Sequence, residues 1–126
     1  LGAQALQIRY NFTTKLVDLD QDNALPQLQK AVGGYIELVN LSDDMLMWVN
    51  EEGAIEKLPG NLVGTHLWDQ SFPEYKGTNK IFGNVIITGV EDENGNLKDI
   101  DEDVAAEITK LCIEAKQLIG SGKLVY

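Results

Sequence analysis

Asp18, Asp20 and Asp22 form a D-x-D-x-D string, the opening of a calcium loop in which alternate carboxylates converge on one cation. Such a loop also wants Gly at its sixth position and a bidentate Glu at its twelfth. Here those positions hold Asn23 and Gln29, and Pro26 intrudes between them. The string therefore reads as a polar loop that ends in a helix N-cap, with its acids near the positive end of the helix. A second acidic stretch, residues 91–107, carries Glu91, Asp92, Glu93, Asp99, Asp101, Glu102, Asp103 and Glu107 against Lys98 alone, −7 of the chain's net −10. Three chemistries fit it. It is a solvated turn followed by a helix start, an oxygen-rich site for calcium or magnesium, or an acidic face that meets a basic partner. Asp99, Asp101, Glu102 and Asp103 are its candidate contact residues.

His66 is the only histidine, so a site built on two imidazoles is excluded, and there is no Gly-x-Ser-x-Gly elbow for a nucleophile. No Gly-rich loop carries the basic residue that a phosphate cradle needs. Cys112, the single cysteine, falls on the apolar face of a C-terminal helix and is expected to be a core residue with an inert thiol. Trp48 lies inside a strand pattern and belongs to the core, whereas Trp68 sits beside a loop and is a candidate anchor at an interface. Asn50, Glu51, Glu52 and Asn61, together with His66 and Trp68, are candidates for a small-molecule pocket in which amides, an imidazole and an indole converge. No catalytic set, metal site or cofactor is assigned.

The elements that must position these residues fit in one domain, 1–126, because 126 residues match a single ordinary domain. Twenty acids against ten bases, with one Arg, argue against binding a nucleic-acid backbone by charge. No apolar run approaches a membrane span, no signal peptide is visible, and Leu1 in place of Met implies a start upstream. Alternation at Leu6, Ile8, Tyr10 and Phe12 predicts a half-buried strand that continues to Leu16 and Val17. A short helix follows over Pro26 to Val32, with Leu25, Leu28 and Val32 as its buried stripe and Gly33-Gly34 as its stop.

Tyr35 to Leu41 and Met45 to Val49 predict a hairpin through Ser42-Asp43-Asp44, and Ala54 to Leu58 a further short strand after Glu51-Glu52-Gly53. Asn61 to Asp69 suits one or two helical turns. Residues 70–80 read as a loop with aromatic anchors Phe72 and Tyr75. Ile81 to Val90 is the strongest strand, with a bulge or close approach at Gly83, and Asn94-Gly95 marks a tight turn. Asp103 to Ile119 is a long helix with Gly120 as its C-terminal stop. This order implies an α+β fold, a mostly antiparallel sheet with a short helix in the N-terminal half and a long C-terminal helix packed on one face.

Three phrases carry a resemblance: Leu28-Gln29-Lys30-Ala31-Val32-Gly33-Gly34-Tyr35-Ile36-Glu37; Asn50-Glu51-Glu52-Gly53 with Leu58-Pro59-x-Asn61; and Ile81-x-Gly83-Asn84-Val85-Ile86-Ile87-Thr88-Gly89. In order and spacing they resemble a domain family of unknown function, number 3846 in its series, over roughly residues 6–90, leaving 91–126 as an acidic turn and helix. The resemblance implies an origin in phages, plasmids and bacteria and an approximate fold, and it transfers no catalytic residue. With the acidic balance, it leads to the expectation of a soluble, non-enzymatic accessory protein in the cytoplasm of a bacterial host, binding a host protein. The alternative is a module for a small molecule or nucleotide derivative. A homodimer through the N-terminal strand is a further expectation.

Overall fold

The chain's first turn decides the edge of its sheet. In the computed structural model, which describes residues 2–123, β1 (Gly2–Ile8) pairs along its full length with β2 (Thr14–Asp20), Gly2 opposite Asp20 and Ile8 opposite Thr14. The strand expected to reach Phe12 and run on to Val17 is thus two strands. Asn11 Oδ1 accepts from the Thr13 N–H at 3.1 Å and the Thr13 hydroxyl at 2.6 Å, Arg9 N–H closes on the Thr13 carbonyl at 2.9 Å, and Phe12 takes a φ of 72°. These local bonds offer the backbone a turn in place of an extended ladder, and they override the alternation.

After a 3-10 turn (Gln21–Asn23), α1 (Ala24–Val32) buries Leu28 and Val32, leaves Leu25 exposed, and stops at Gly33 with φ 83°. β3 (Ile36–Ser42) and β4 (Met45–Asn50) form the expected hairpin. The strand expected at Ala54 to Leu58 is a set of turns instead. Asn50 Oδ1 accepts from Glu52 N–H at 2.8 Å and Leu58 N–H bonds the Gly53 carbonyl, so the backbone coils before it can extend. α2 (Leu62–Ser71) follows. Beyond it a 3-10 turn (Pro73–Tyr75) leaves Tyr75 exposed and Phe72 half-buried, so Tyr75 anchors nothing.

β5 (Val85–Thr88) is only four residues long, bounded by Gly83 at φ 81° and by Gly89. The left-handed φ of Gly83 requires glycine, and so does the close approach at Gly89, where a Cβ would lie 2.6 Å from the Asp99 carbonyl oxygen. α3 (Glu102–Gly120) is the last element among the described residues, and the left-handed residue beyond it is Gly122 rather than Gly120.

The sheet order is β2-β1-β5-β4-β3, antiparallel throughout, so the last strand in sequence is the central one. Its four side chains are all fully buried, because both faces are covered. On one face Leu28 of α1 packs with Ala5, Leu19, Leu46, Trp48 and Ile86. On the other Val63 and Leu67 of α2 and Ile108, Cys112 and Ala115 of α3 pack with Leu6, Ile8, Met47, Val49, Val85 and Ile87. The fold is therefore α+β as expected, but in three layers, with α1 opposite α2 and α3 rather than all helices on one face. An uninterrupted apolar run such as Val85-Ile86-Ile87 is the sequence mark of a strand buried on both faces. Among the described residues no helix is long and apolar enough to cross a membrane.

Candidate functional site

The acidic stretch divides by what its carboxylates do. Asp92 Oδ1 accepts from the N–H groups of Asn94 and Asn96 at 2.8 and 3.0 Å and shapes the turn at Gly95. Asp99 Oδ1 accepts from the Gln4 N–H at 2.7 Å and ties this stretch to β1. Asp101 caps α3, accepting from Asp103 and Val104 N–H at 2.9 and 3.1 Å. The remaining acids, Glu91, Glu93, Glu102, Asp103 and Glu107, are exposed and form no ion pair among the described residues. Two of the four candidate contact residues here, Asp99 and Asp101, are thus engaged in the fold, while Glu102 and Asp103 stand free in the first turn of α3, where the helix dipole favours them.

Asp18 and Asp20 lie on β2, not in a loop. Asp20 caps the short 3-10 turn by accepting from Asp22 N–H at 3.0 Å. No group of three or more His, Cys, Asp or Glu side chains among the described residues is arranged to hold a metal ion. Gln4 stands opposite Asp18 in the β1–β2 ladder, and Gln4 also bonds Asp99 and lines one groove with Glu102. Acid from β2 and acid from the start of α3 therefore meet on either side of Gln4.

That groove, of about 890 Å³, runs between β2 and α3, with Leu16 as floor and Ala105, Ala106, Thr109 and Ile113 as wall. Leu16 and Ile113 are each 54% exposed. α3 turns Ile108, Cys112 and Ala115 onto the sheet, and its small-residue flank is left facing the sheet edge. A second hollow continues the groove past Thr109 and Ile113 to Phe12 and Lys116.

The backbone of β2 is open along this groove. Gln4 uses its N–H on Asp99 and its carbonyl on Ile100 N–H, so even-numbered residues of β1 point away from β2 and odd-numbered ones bond to it. Thr14, Leu16, Asp18 and Asp20 of β2 consequently face their N–H and C=O outward. Gln27 of α1 covers one end, accepting from Asp20 N–H at 2.7 Å and donating to the Asp18 carbonyl at 3.3 Å. Among the described residues nothing covers the edge at Thr14 and Leu16. β1, the strand expected to be a dimerising edge, is an inner strand; β2 and β3 are the edges.

The other candidates separate into different places. Asn50 is buried, donating to the Val32 carbonyl at 3.3 Å; Glu51 and Glu52 beside it are exposed. Asn61, 1% exposed, donates from Nδ2 to the carbonyls of Ile8 and Gly83 and caps α2 through Gly64 N–H, so its amide is fully used within the fold. His66 is exposed at the mouth of a cavity of about 250 Å³ between α2 and α3, lined by Leu62, Val63, Leu111, Ala115 and Leu118, with Glu114 beside it. Asn50 and Glu51 line a separate hollow of about 130 Å³. Trp68 is half-buried against the core, its ring centroid 5.1 Å from that of Phe72. Trp48 belongs to the core, and its indole N–H donates to Thr88 Oγ1 at 3.0 Å. Cys112 is fully buried, and burial pushes its thiol up from 9.0 to about 11, so it is an inert core thiol as expected.

The open edge was the feature sequence reasoning missed. Its signal was present in Lys15-Leu16-Val17-Asp18-Leu19, a second alternating run that the Asn11–Thr13 turn separates from the first.

The sequence profile of a family described as a domain of unknown function (DUF3846) matches residues 5–113. It extends beyond residue 90, where the resemblance ended, through the acidic stretch and into α3, so that stretch lies within the family match. No curated protein and no solved structure matches the chain.

Proposed function

The chain belongs to the DUF3846 family, and we propose that it is a non-enzymatic accessory protein of phage or mobile-element type that binds a protein of its bacterial host. One observation carries this reading. Five exposed carboxylates, Glu91, Glu93, Glu102, Asp103 and Glu107, stand without cation partners among the described residues on one continuous stretch of chain. A field of one sign raises encounter rates with a basic surface and penalises acidic ones. The polar residues that looked best suited to chemistry, Asn61, Asp99 and Asp101, are instead spent on backbone hydrogen bonds.

The test is capture of a host protein from bacterial lysate, its identification, and titration of the purified pair at low and high salt. Wild type is expected to bind with a steep loss at high salt. The variant carrying Glu93→Lys, Glu102→Lys, Asp103→Lys and Glu107→Lys is expected to lose binding and keep its fold. These positions avoid Asp92, Asp99 and Asp101, whose reversal would damage the structure itself. Unchanged affinity in the reversed variant would overturn the reading.

A small-molecule module is the second reading, favoured by the apolar cavity between α2 and α3 with His66 and Glu114 at its rim. A thermal-shift screen of nucleotides and metabolites, repeated on Leu111→Trp to fill the cavity, tests it. A ligand that raises the melting temperature of wild type alone supports this reading, and no shift overturns it.

A further inference from the structure

The binding reading above leaves open where a partner would sit, and the groove beside β2 combines three properties that bear on it. Among the described residues its edge backbone is uncovered at Thr14 and Leu16, with the N–H and C=O of each facing outward. Leu16, Ala105, Ala106 and Ile113 give it an apolar strip along which Lys110 is paired with Glu114 at 3.8 Å, and Leu16 and Ile113 are both half-exposed there. Its end at Gln4 is acidic, with Asp18 on one side and Glu102 on the other, both exposed. An uncovered edge invites a further strand, and soluble proteins ordinarily blunt such an edge with charge or a covering element. Here Gln27 blunts only the Asp18–Asp20 end.

We infer that β2 takes an extended segment of a partner protein as an additional strand, with an apolar side chain beside Leu16 and a Lys or Arg two positions away beside Asp18. Leu16 and Asp18 lie on the same face of β2, towards α3, because they stand opposite Leu6 and Gln4. The side chains of an added strand that face them are likewise two residues apart. Backbone bonds to Leu16 supply affinity that is independent of sequence, and the apolar and basic side chains supply the selection. A second copy of this chain fits poorly. Each copy carries a net charge of −10, and pairing Leu16 with its counterpart would bring the Asp18 and Glu102 of both copies into one groove.

This inference rests on the protein-binding reading but can fail separately from it. The probe is a set of fluorescein-labelled peptides of about six residues, a usual strand length. One places Val and Lys two residues apart among threonines, one places Val and Glu likewise, and one is the Val/Lys peptide N-methylated at its Val and Lys amides, which removes strand bonding and keeps charge and apolar area. Anisotropy is expected to show binding of the Val/Lys peptide, weaker binding of the other two by about tenfold or more, and a similar loss in Leu16→Pro and in Ile113→Glu. Proline suits this position because the Leu16 N–H points outward and the ladder to β1 is untouched. Ile113 is exposed on α3, so Ile113→Glu keeps the test decisive if Leu16→Pro does not fold.

Equal binding of the N-methylated peptide, retention in both variants, or no binding of the Val/Lys peptide overturns the inference. So does a concentration-dependent dimer in sedimentation that Leu16→Pro dissolves, since a second copy would then be the occupant. Loss of host-protein capture in the Lys-reversed variant together with full capture by Leu16→Pro and Ile113→Glu would uphold the binding reading and overturn this site.

Discussion

The side-chain amide of Asn61 donates to the backbone carbonyl of Ile8 at 3.0 Å, across 53 positions of sequence. The same amide donates to the Gly83 carbonyl at 2.9 Å, and its oxygen accepts from Gly64 N–H at 2.9 Å. One buried side chain thus joins the end of β1, the approach to β5 and the start of α2. Asn61→Ala is expected to destabilise by about 2–5 kcal/mol, since it strands two buried carbonyls and removes a helix cap. Asn61→Asp keeps the cap and is expected to be no better, because a carboxylate would face two carbonyl oxygens. Chemical denaturation of the two variants checks this; a loss below about 1 kcal/mol in both would contradict the role given to Asn61.

Trp48 and Thr88 form a second buried polar pair. The indole N–H donates to Thr88 Oγ1, whose own hydrogen goes to the Gly89 carbonyl at 2.8 Å. Thr88→Val preserves shape and leaves the indole N–H unpaired, at a cost of about 1–3 kcal/mol. Trp48→Phe removes that donor and leaves a cavity. The double variant is expected to lose less than the two single losses combined, by about 1 kcal/mol, which a double-mutant cycle measures directly. Simple additivity would show that the bond contributes nothing.

Cys112 gives the chain a pH signature. Its folded thiol titrates at about 11 against 9.0 when free, because burial disfavours the thiolate. Between those values the unfolded chain has released the proton and the folded chain still holds it, so this residue's contribution to stability falls as pH rises through that window and is constant below it. Comparing wild type with Cys112→Ala isolates the effect from other titrating groups: the stability difference should shrink from pH 8 towards alkaline pH. The native thiol should also resist alkylation near neutrality. Rapid native labelling would contradict the burial.

The acids of residues 91–107 should separate by experiment as they do by geometry. Asp101→Ala removes the cap of α3 and is expected to cost about 1 kcal/mol. Glu102→Lys, one residue on, loses only a favourable contact with the helix dipole and is expected to lower the melting temperature less than Asp101→Ala while weakening partner binding. The reverse ranking would mean that the capping geometry does not hold in solution.

Much of this architecture was legible in residue order. α1 with its Gly33 stop, the β3–β4 hairpin and the body of α3 follow from clean periodicity, and burial of Cys112 follows from its place on the apolar stripe. The first hairpin was hidden because its turn is built from Asn11, Phe12 and Thr13 rather than an Asn-Gly pair, so two alternating runs read as one strand. The two-sided covering of the sheet was written in Val85 to Thr88, where the run does not alternate. The excess charge of residues 91–107 was visible as a sum. Which carboxylates serve the fold was not, because that depends on contacts with Gln4 and with the backbone of a helix start. Asn61 misled for the same reason: a polar residue before a helix looks like surface until the carbonyls of Ile8 and Gly83 are brought to it.

Amide hydrogen exchange at Leu16, resolved against its neighbour Val17, tests the open edge most directly. In the free protein Leu16 should exchange much faster than Val17, whose N–H is bonded to β1, and saturation with the Val/Lys peptide should slow Leu16 by about tenfold or more while Val17 changes little. Slow exchange at Leu16 in the free protein, or no change on adding the peptide, would contradict an edge that awaits a partner strand.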